Sequence, residues 1–215
     1  MRHPSLPTQP LAAATVMLVA LWTLSCSAPQ PLAKPDLLAA ANFHFEDRNF
    51  PVAVEQYRKL LDEHPFSGQS ERASLRIAHA HYLNRDYDKA LVAFNDFERL
   101  YPTSRELPFV EYTTGMCHLD RALMAERDPS AVERALRQFE RLARRHSRSL
   151  YARLAAYRIS ECKERLARHE LRIGEFYLDS DQPEAAQARL RYIVEQYTDT
   201  DTARHAASLI NQTRD

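Results

Sequence analysis

A segment that returns at a fixed interval limits the fold of this chain more than any other feature. Phe45–Pro65 (FEDRNFPVAVEQYRKLLDEHP) aligns with Tyr82–Pro102 (YLNRDYDKALVAFNDFERLYP) at a shift of 37 residues. Asn49/Asp86, Phe50/Tyr87, Ala53/Ala90, Tyr57/Phe94, Leu60/Phe97 and Pro65/Pro102 pair in that alignment. A third copy, SAVERALRQFERLARRHS, puts Ala135, Phe139, Leu142 and Ser147 in the same roles; a fourth, QPEAAQARLRYIVEQYT, supplies Ala186, Leu190, Ile193 and Thr198. Every copy therefore keeps an alanine, large apolar residues four and seven positions later, and proline or a small polar residue twelve positions later. Steps of four and seven lie on one helical face beside the alanine, whose small side chain admits a partner helix.

The segment ahead of each copy repeats as well, with a small residue at Ala41, Ala78, Gly115 and Gly174. Two helices per unit, small residues at their crossing and a proline closing the second helix make the tetratricopeptide pattern, here longer than the usual ~34 residues. The additional residues fall between units, in PFSGQSERA and PTSRELPFV. Helices are expected near 36–48, 51–64, 70–84, 87–101, 107–124, 130–146, 149–179, 183–197 and 201–213. A lone pair cannot bury its apolar face, so the pairs should stack into a right-handed solenoid. The predicted fold is all-α: about four helix pairs plus a C-terminal capping helix, over residues 36–215. Only 3 glycines in the chain, with Ala, Leu, Arg and Glu abundant, point the same way and disfavour hairpins and glycine-rich phosphate loops.

The N-terminus reads differently. Arg2 and His3 precede Leu11–Leu24, an uncharged run that would rise only ~21 Å as a helix, too short for a ~30 Å hydrocarbon layer. It has the length of a signal-peptide core. Leu24-Ser25-Cys26 then resembles a lipobox, where a bacterial lipoprotein precursor is lipidated on the cysteine sulfur and cut before it; Thr23 stands where that motif usually has leucine. The expectation is a signal peptide at 1–25, lipidation at Cys26 and a proline-rich tether at 26–35. By the same resemblance, Ser27 implies sorting to the outer membrane, with the folded part in the periplasm.

Little in the chain suggests chemistry. His44, His81 and His118 recur every 37 residues, but equivalent points in stacked repeats sit roughly 10 Å apart, whereas zinc holds ligands at ~2.1 Å. Packed imidazoles are the expectation, with no metal and no cofactor. Cys117 and Cys162 sit within helical patterns and read as buried apolar residues; no Cys-x-x-Cys, Gly-x-Ser-x-Gly or His-Glu-x-x-His occurs. No enzyme is expected. Net charge is +0, yet Arg134–Arg172 carries twelve Lys and Arg against four Glu. That run reads either as a solvated helical surface or as a site for an acidic partner or anionic lipid, and not for nucleic acid, since the N-terminus directs the protein out of the cytoplasm.

The loops and unit length resemble the BamD family, lipoproteins of the outer-membrane β-barrel assembly machinery. The resemblance rests on HPFSGQSERASLRIAHAHYLNRDYDKALVAFNDFERLYPTS, on Tyr112 to Gly115, on DPSAVERALRQFERLARRHSRSLYA and on QARLRYIVEQYTDT, and it covers nearly all of residues 36–205. The segment between Met124 and Asp128 is shorter than family members often have, and one helix of a fifth repeat follows the fourth. The resemblance implies that the C-terminal repeats dock the POTRA domains of the barrel-forming (BamA-like) subunit, alongside other assembly lipoproteins, with Arg189 matching a family arginine that pairs with an acidic POTRA residue. It also implies that the N-terminal half receives C-terminal strands of unfolded β-barrel clients. The first helix of each pair should form the concave wall, nominating Asn42 and Phe45, His79 and Tyr82, then Tyr112, Met116 and Leu119. Phe45, Tyr82 and Leu119, again 37 apart, would then be either an exposed apolar ladder for an extended peptide or inter-repeat core. The alternative function is a different periplasmic tetratricopeptide-repeat lipoprotein coordinating cell-envelope or peptidoglycan machinery.

Overall fold

A computed structural model describes residues 34–65, 67–124 and 129–212. The described elements are all helices: α1 (Lys34–Glu46), α2 (Phe50–Glu63), α3 (Ser70–Leu83), α4 (Tyr87–Leu100), α5 (Leu107–Met124), α6 (Ser130–Arg145), α7 (Leu150–Asp179), α8 (Pro183–Gln196) and α9 (Asp201–Gln212). They match the expected boundaries within two residues. α1 starts at Lys34, inside the stretch assigned to the tether; Cys26 and the signal segment lie outside the described residues.

The repeat alignment is a burial pattern. Ala53, Tyr57 and Leu60 on α2, Ala90, Phe94 and Phe97 on α4, Ala135, Phe139 and Leu142 on α6, and Ala186, Leu190 and Ile193 on α8 are all fully buried. Each large member contributes about 1.5–3 kcal/mol by leaving water. The core divides into four clusters strung along the chain, with each helix packing on its neighbours in sequence, as a solenoid requires.

The turns repeat with the core. Two residues past the ends of α1, α3 and α7 stands a residue with positive φ: Arg48 (60°), Arg85 (63°) and Asp181 (56°). The next amide in each case donates back to a carbonyl five residues earlier: Asn49 to His44, Asp86 to His81 and Gln182 to Tyr177, at 2.8–2.9 Å. This closure satisfies carbonyls the helix end would leave bare. α2, α4, α6 and α8 are closed instead by a turn at His64, Tyr101, His146 and Tyr197, whose carbonyls accept from the N–H groups of Ser67, Ser104, Ser149 and Thr200. The turn survives in the third and fourth repeats although Ser147 and Thr198 replace Pro65 and Pro102, so the proline assists the turn without being required by it.

The crossing residues are buried as expected, but they are not equally crowded. A methyl group on Gly115 would come within 2.5 Å of the Phe139 ring, whereas one on Gly174 would meet Arg189 and Leu190 at an ordinary 3.6 Å. α7 is the exceptional element. Its Ser149 side chain accepts from the Ala152 amide at 3.0 Å, and no proline interrupts the 30 residues that follow, a rod of ~45 Å. Its first half packs on α5 and α6 and its second half on α8 and α9, joining the third and fourth repeats through one continuous helix.

A buried carboxylate also ties α4, α5 and α6. Glu111 is fully buried, and Arg145 donates to its Oε1 at 2.6 Å, with His146 Nε2 at 3.4 Å. Arg145 and Arg141 both reach Glu98, at 2.8 and 3.0 Å. Burial pushes the Glu98 carboxyl up, but these two guanidinium groups outweigh it and hold it below its ordinary value.

Candidate peptide-binding groove

The first helices of successive pairs, α3, α5 and α7, line a concave cavity of about 530 Å³. Arg72, Arg76 and His79 recur at steps of four and three on α3 and so share the face turned to it. Phe109 comes from the first turn of α5 and Tyr151 from the first turn of α7. The rings form a line: His79 to Phe109 at 5.2 Å, Phe109 to Tyr151 at 5.7 Å and Tyr151 to Tyr112 at 5.6 Å between centroids. Edge-to-face and tilted contacts of this kind hold rings in place while leaving apolar faces available. Phe109 and Tyr151 are only half-buried, so their remaining surface faces the cavity.

The rim carries charge of both signs. Glu71 accepts from the Ser104 hydroxyl at 2.5 Å, which fastens the loop before α5 to the start of α3. Arg76 lies over the Phe45 ring at 4.4 Å, and its closest carboxylate, Glu46, is 3.8 Å away. Burial and then the Arg76 charge lower the His79 pKa, so His79 presents a neutral ring at neutral pH.

The expected ladder is corrected by this geometry. Phe45 is 7% exposed, enclosed by Phe50, Tyr57 and His79 and roofed by Arg76, so it belongs to the first-repeat core. Leu119 is 2% exposed and packs in the third-repeat core between α5 and α6; half-buried Met116 packs against the same cluster. Asn42 is engaged internally, its Oδ1 accepting from the Tyr57 hydroxyl at 2.6 Å. Tyr82 is half-buried and its hydroxyl donates to Asp120 at 3.0 Å. His79 alone of the expected residues lines the cavity, and Tyr112 reaches it through Tyr151. Phe109 and Tyr151 were missed, because an interval of 37 finds residues equivalent within repeats. Neither has an aromatic counterpart one interval earlier: Arg72 stands at that place for Phe109 and Thr114 for Tyr151.

The remaining candidates are dispersed. Arg189 on α8 is half exposed and donates to Glu170 of α7 at 2.8 Å. His81 is buried, while His44 and His118 are half-buried. Burial, then neighbouring arginines, lowers the pKa of His81 and His118. Among the described residues no three His, Cys, Asp or Glu side chains gather as a metal site. Cys117 and Cys162 are buried free thiols in different clusters, each pushed up to about 12 chiefly by burial. No described helix is long and apolar enough to cross a membrane.

This repeat architecture is matched by sequence. Residues 32–214 match the family YfiO, described as outer membrane lipoprotein. The chain belongs to that family. Three relatives carry the name outer membrane protein assembly factor BamD. The Pasteurella multocida protein is 29% identical over 210 residues, covering 92% of this chain and 81% of that protein. The Vibrio cholerae protein is 30% identical over 207 residues, covering 89% and 86%. The Caulobacter vibrioides protein is 30% identical over 152 residues, covering 71% and 50%. The YfiO family match spans all nine described helices.

Proposed function

We propose that this protein is a lipid-anchored periplasmic scaffold for assembling β-barrel proteins into the outer membrane, attached through Cys26 and catalysing nothing. The observation that carries the reading is the half-buried aromatic line of the groove, beside two arginines, in a chain whose relatives are named outer membrane protein assembly factors. An extended strand sends alternate side chains to one side at ~6.8 Å intervals, near the 5.2 and 5.7 Å ring steps of His79, Phe109 and Tyr151. Aromatic side chains of an unfolded barrel strand would stack there, and Arg72 and Arg76 would hold its backbone carbonyls or terminal carboxylate. The client is recognised by apolar surface and extended backbone and not by one sequence, which suits a factor that serves many barrels.

Arg189 on the C-terminal half is the proposed contact with an acidic residue of the POTRA-bearing subunit. Its guanidinium is half exposed and already aligned by Glu170, so a second carboxylate can share it without reordering the side chain. The test of the client half is calorimetric titration of the full chain in detergent with a ten-residue peptide of alternating aromatics ending in phenylalanine. Saturable binding weakened at least tenfold by Phe109→Ala, about 1.4 kcal/mol, is the expected result. Equal binding by wild type and Phe109→Ala would remove the groove from client recognition.

A further inference from the structure

The first half of α7 carries an open stripe that the groove and Arg189 do not use. Leu150, Leu154 and Tyr157 are 56%, 42% and 69% exposed, and they recur at steps of four and three along one flank of the helix. Continuing the steps of four and three brings the row to Glu161 and then Glu164. Glu164 accepts from the Thr202 hydroxyl at 2.8 Å and its amide at 3.4 Å, holding the N-terminus of α9. From that point onward a helix of the fold packs beside α7; ahead of it the flank is open. The open part from Leu150 to Glu161 is ~16 Å long, the length of three helical turns.

The charge around the stripe has one sign. Residues 141–158 hold six arginines and no carboxylate. Arg141 and Arg145 are engaged by Glu98 and Glu111, and Arg158 by Glu161. Arg148 and Arg153, both exposed and flanking Leu150 and Leu154, have no ion pair among the described residues. Residues 1–33 contain no Asp or Glu, so the N-terminal segment of this chain does not complement the patch.

We infer that this flank of α7 docks an acidic amphipathic helix of a partner protein, lying along α7 in line with α9. Its apolar residues at steps of three and four cover Leu150, Leu154 and Tyr157, and its carboxylates face Arg148 and Arg153. Two features select a helix over a flat surface: the stripe runs along the helix axis, and the next stretch of the same flank already takes a helix, α9. Binding depends on salt because the arginines are exposed.

The test uses the full chain in detergent and two fluorescein-labelled sixteen-residue helical peptides. Both have leucine at every third or fourth position, with Glu on the remaining face of one and Lys on that of the other. Saturable anisotropy change with the Glu peptide, at least tenfold weaker for the Lys peptide and for Leu154→Asp, and weakened by 0.5 M salt, is the expected result. Arg153→Glu, which leaves Arg148 beside one carboxylate, should abolish the preference between the peptides. Both variants change exposed positions, and an unchanged thermal midpoint shows that they fold. Equal binding of the two peptides, or equal binding by wild type and Leu154→Asp, overturns the proposal. So does loss of affinity for phosphatidylglycerol vesicles on Leu154→Asp without Glu-peptide binding by wild type, which would make the patch a lipid contact. A sedimentation coefficient that rises with concentration in wild type and not in Leu154→Asp would assign it to a second copy and overturn the proposal as well. The Phe109→Ala and Arg189→Glu variants should bind the Glu peptide normally, so failure here is separable from failure of the client groove.

Discussion

Gly115→Ala and Gly174→Ala make a pair of identical substitutions whose effects should have opposite sign. Both glycines sit inside long helices at repeat crossings, where alanine by itself favours the helix by ~1 kcal/mol. At Gly174 the new methyl meets Arg189 and Leu190 at 3.6 Å or more, ordinary packing distance, so the propensity gain survives and stability rises by about 0.5–1 kcal/mol. At Gly115 it meets Phe139 carbons at 2.5 and 2.8 Å. That ring is fully buried in the α5–α6 interface and lies 5.7 Å from the Tyr112 ring, so it has no free space to retreat into. Overpacking of this kind costs about 1–3 kcal/mol, and a 2.5 Å contact with a ring that cannot retreat belongs to the upper part of that range, about 2–3 kcal/mol, which leaves a net loss of about 1–2 kcal/mol after the propensity gain. In a domain of this size that lowers the midpoint by ~2–8 °C, readable by thermal circular dichroism, while Gly174→Ala raises it by ~1–4 °C. Phe139→Leu should recover part of the loss in the Gly115→Ala background and destabilise the wild type, which a double-mutant cycle resolves. A Gly115→Ala protein as stable as wild type would refute the claim that close helix approach sets the residue here.

Further predictions follow from the turns, the ion network and the histidines. Arg85→Gly relieves a positive φ of 63° at an exposed turn and should stabilise by about 1 kcal/mol in urea unfolding. Arg145→Ala leaves Glu111 buried without its 2.6 Å partner and should cost about 2–4 kcal/mol, whereas Glu111→Leu with Arg145 kept should cost less. His79, His81 and His118 all have pKa values below 6.5 in the folded chain, so folding favours their neutral forms. Their contribution is complete above the unfolded value near 6.5 and is lost as pH falls from there towards the lower folded values. Urea midpoints should therefore drop between pH 7.5 and 5.5, and His118→Gln should flatten that drop; an unchanged slope would count against it.

The helices were legible because their signal is local and repeated. Ala53, Tyr57 and Leu60 and their three sets of equivalents mark the buried face directly, and all are fully buried. The histidines at 44 and 81 recur at the repeat interval, and the structure shows what they share with Tyr177: each carbonyl closes the end of its helix. The groove was less legible. Equivalence at 37 residues tied Phe45, Tyr82 and Leu119 together, but each meets different neighbours. Phe45 is roofed by Arg76, Leu119 is packed against α6 and Tyr82 is tethered to Asp120. The true lining crosses from one helix to the next, through Phe109 and Tyr151, which no periodicity within one element can reveal. The extent of α7 agrees with the expected 149–179, yet the open flank of its first half, whose other side packs on α5 and α6, depends on where α9 lies against it, a tertiary fact.

The central claim, a scaffold joining a membrane anchor to the barrel-assembly machinery, is tested most directly by pull-down from detergent-solubilised envelopes with tagged full-length protein. Arg189→Glu sets a second carboxylate beside the largely covered Glu170, so the uncharged Arg189→Gln is run with it, and a thermal midpoint measured for each variant separates loss of docking from loss of fold. The account predicts that wild type recovers a POTRA-bearing barrel protein and that Arg189→Glu does not. Recovery of other envelope components from wild type, with no POTRA-bearing protein among them, would contradict it.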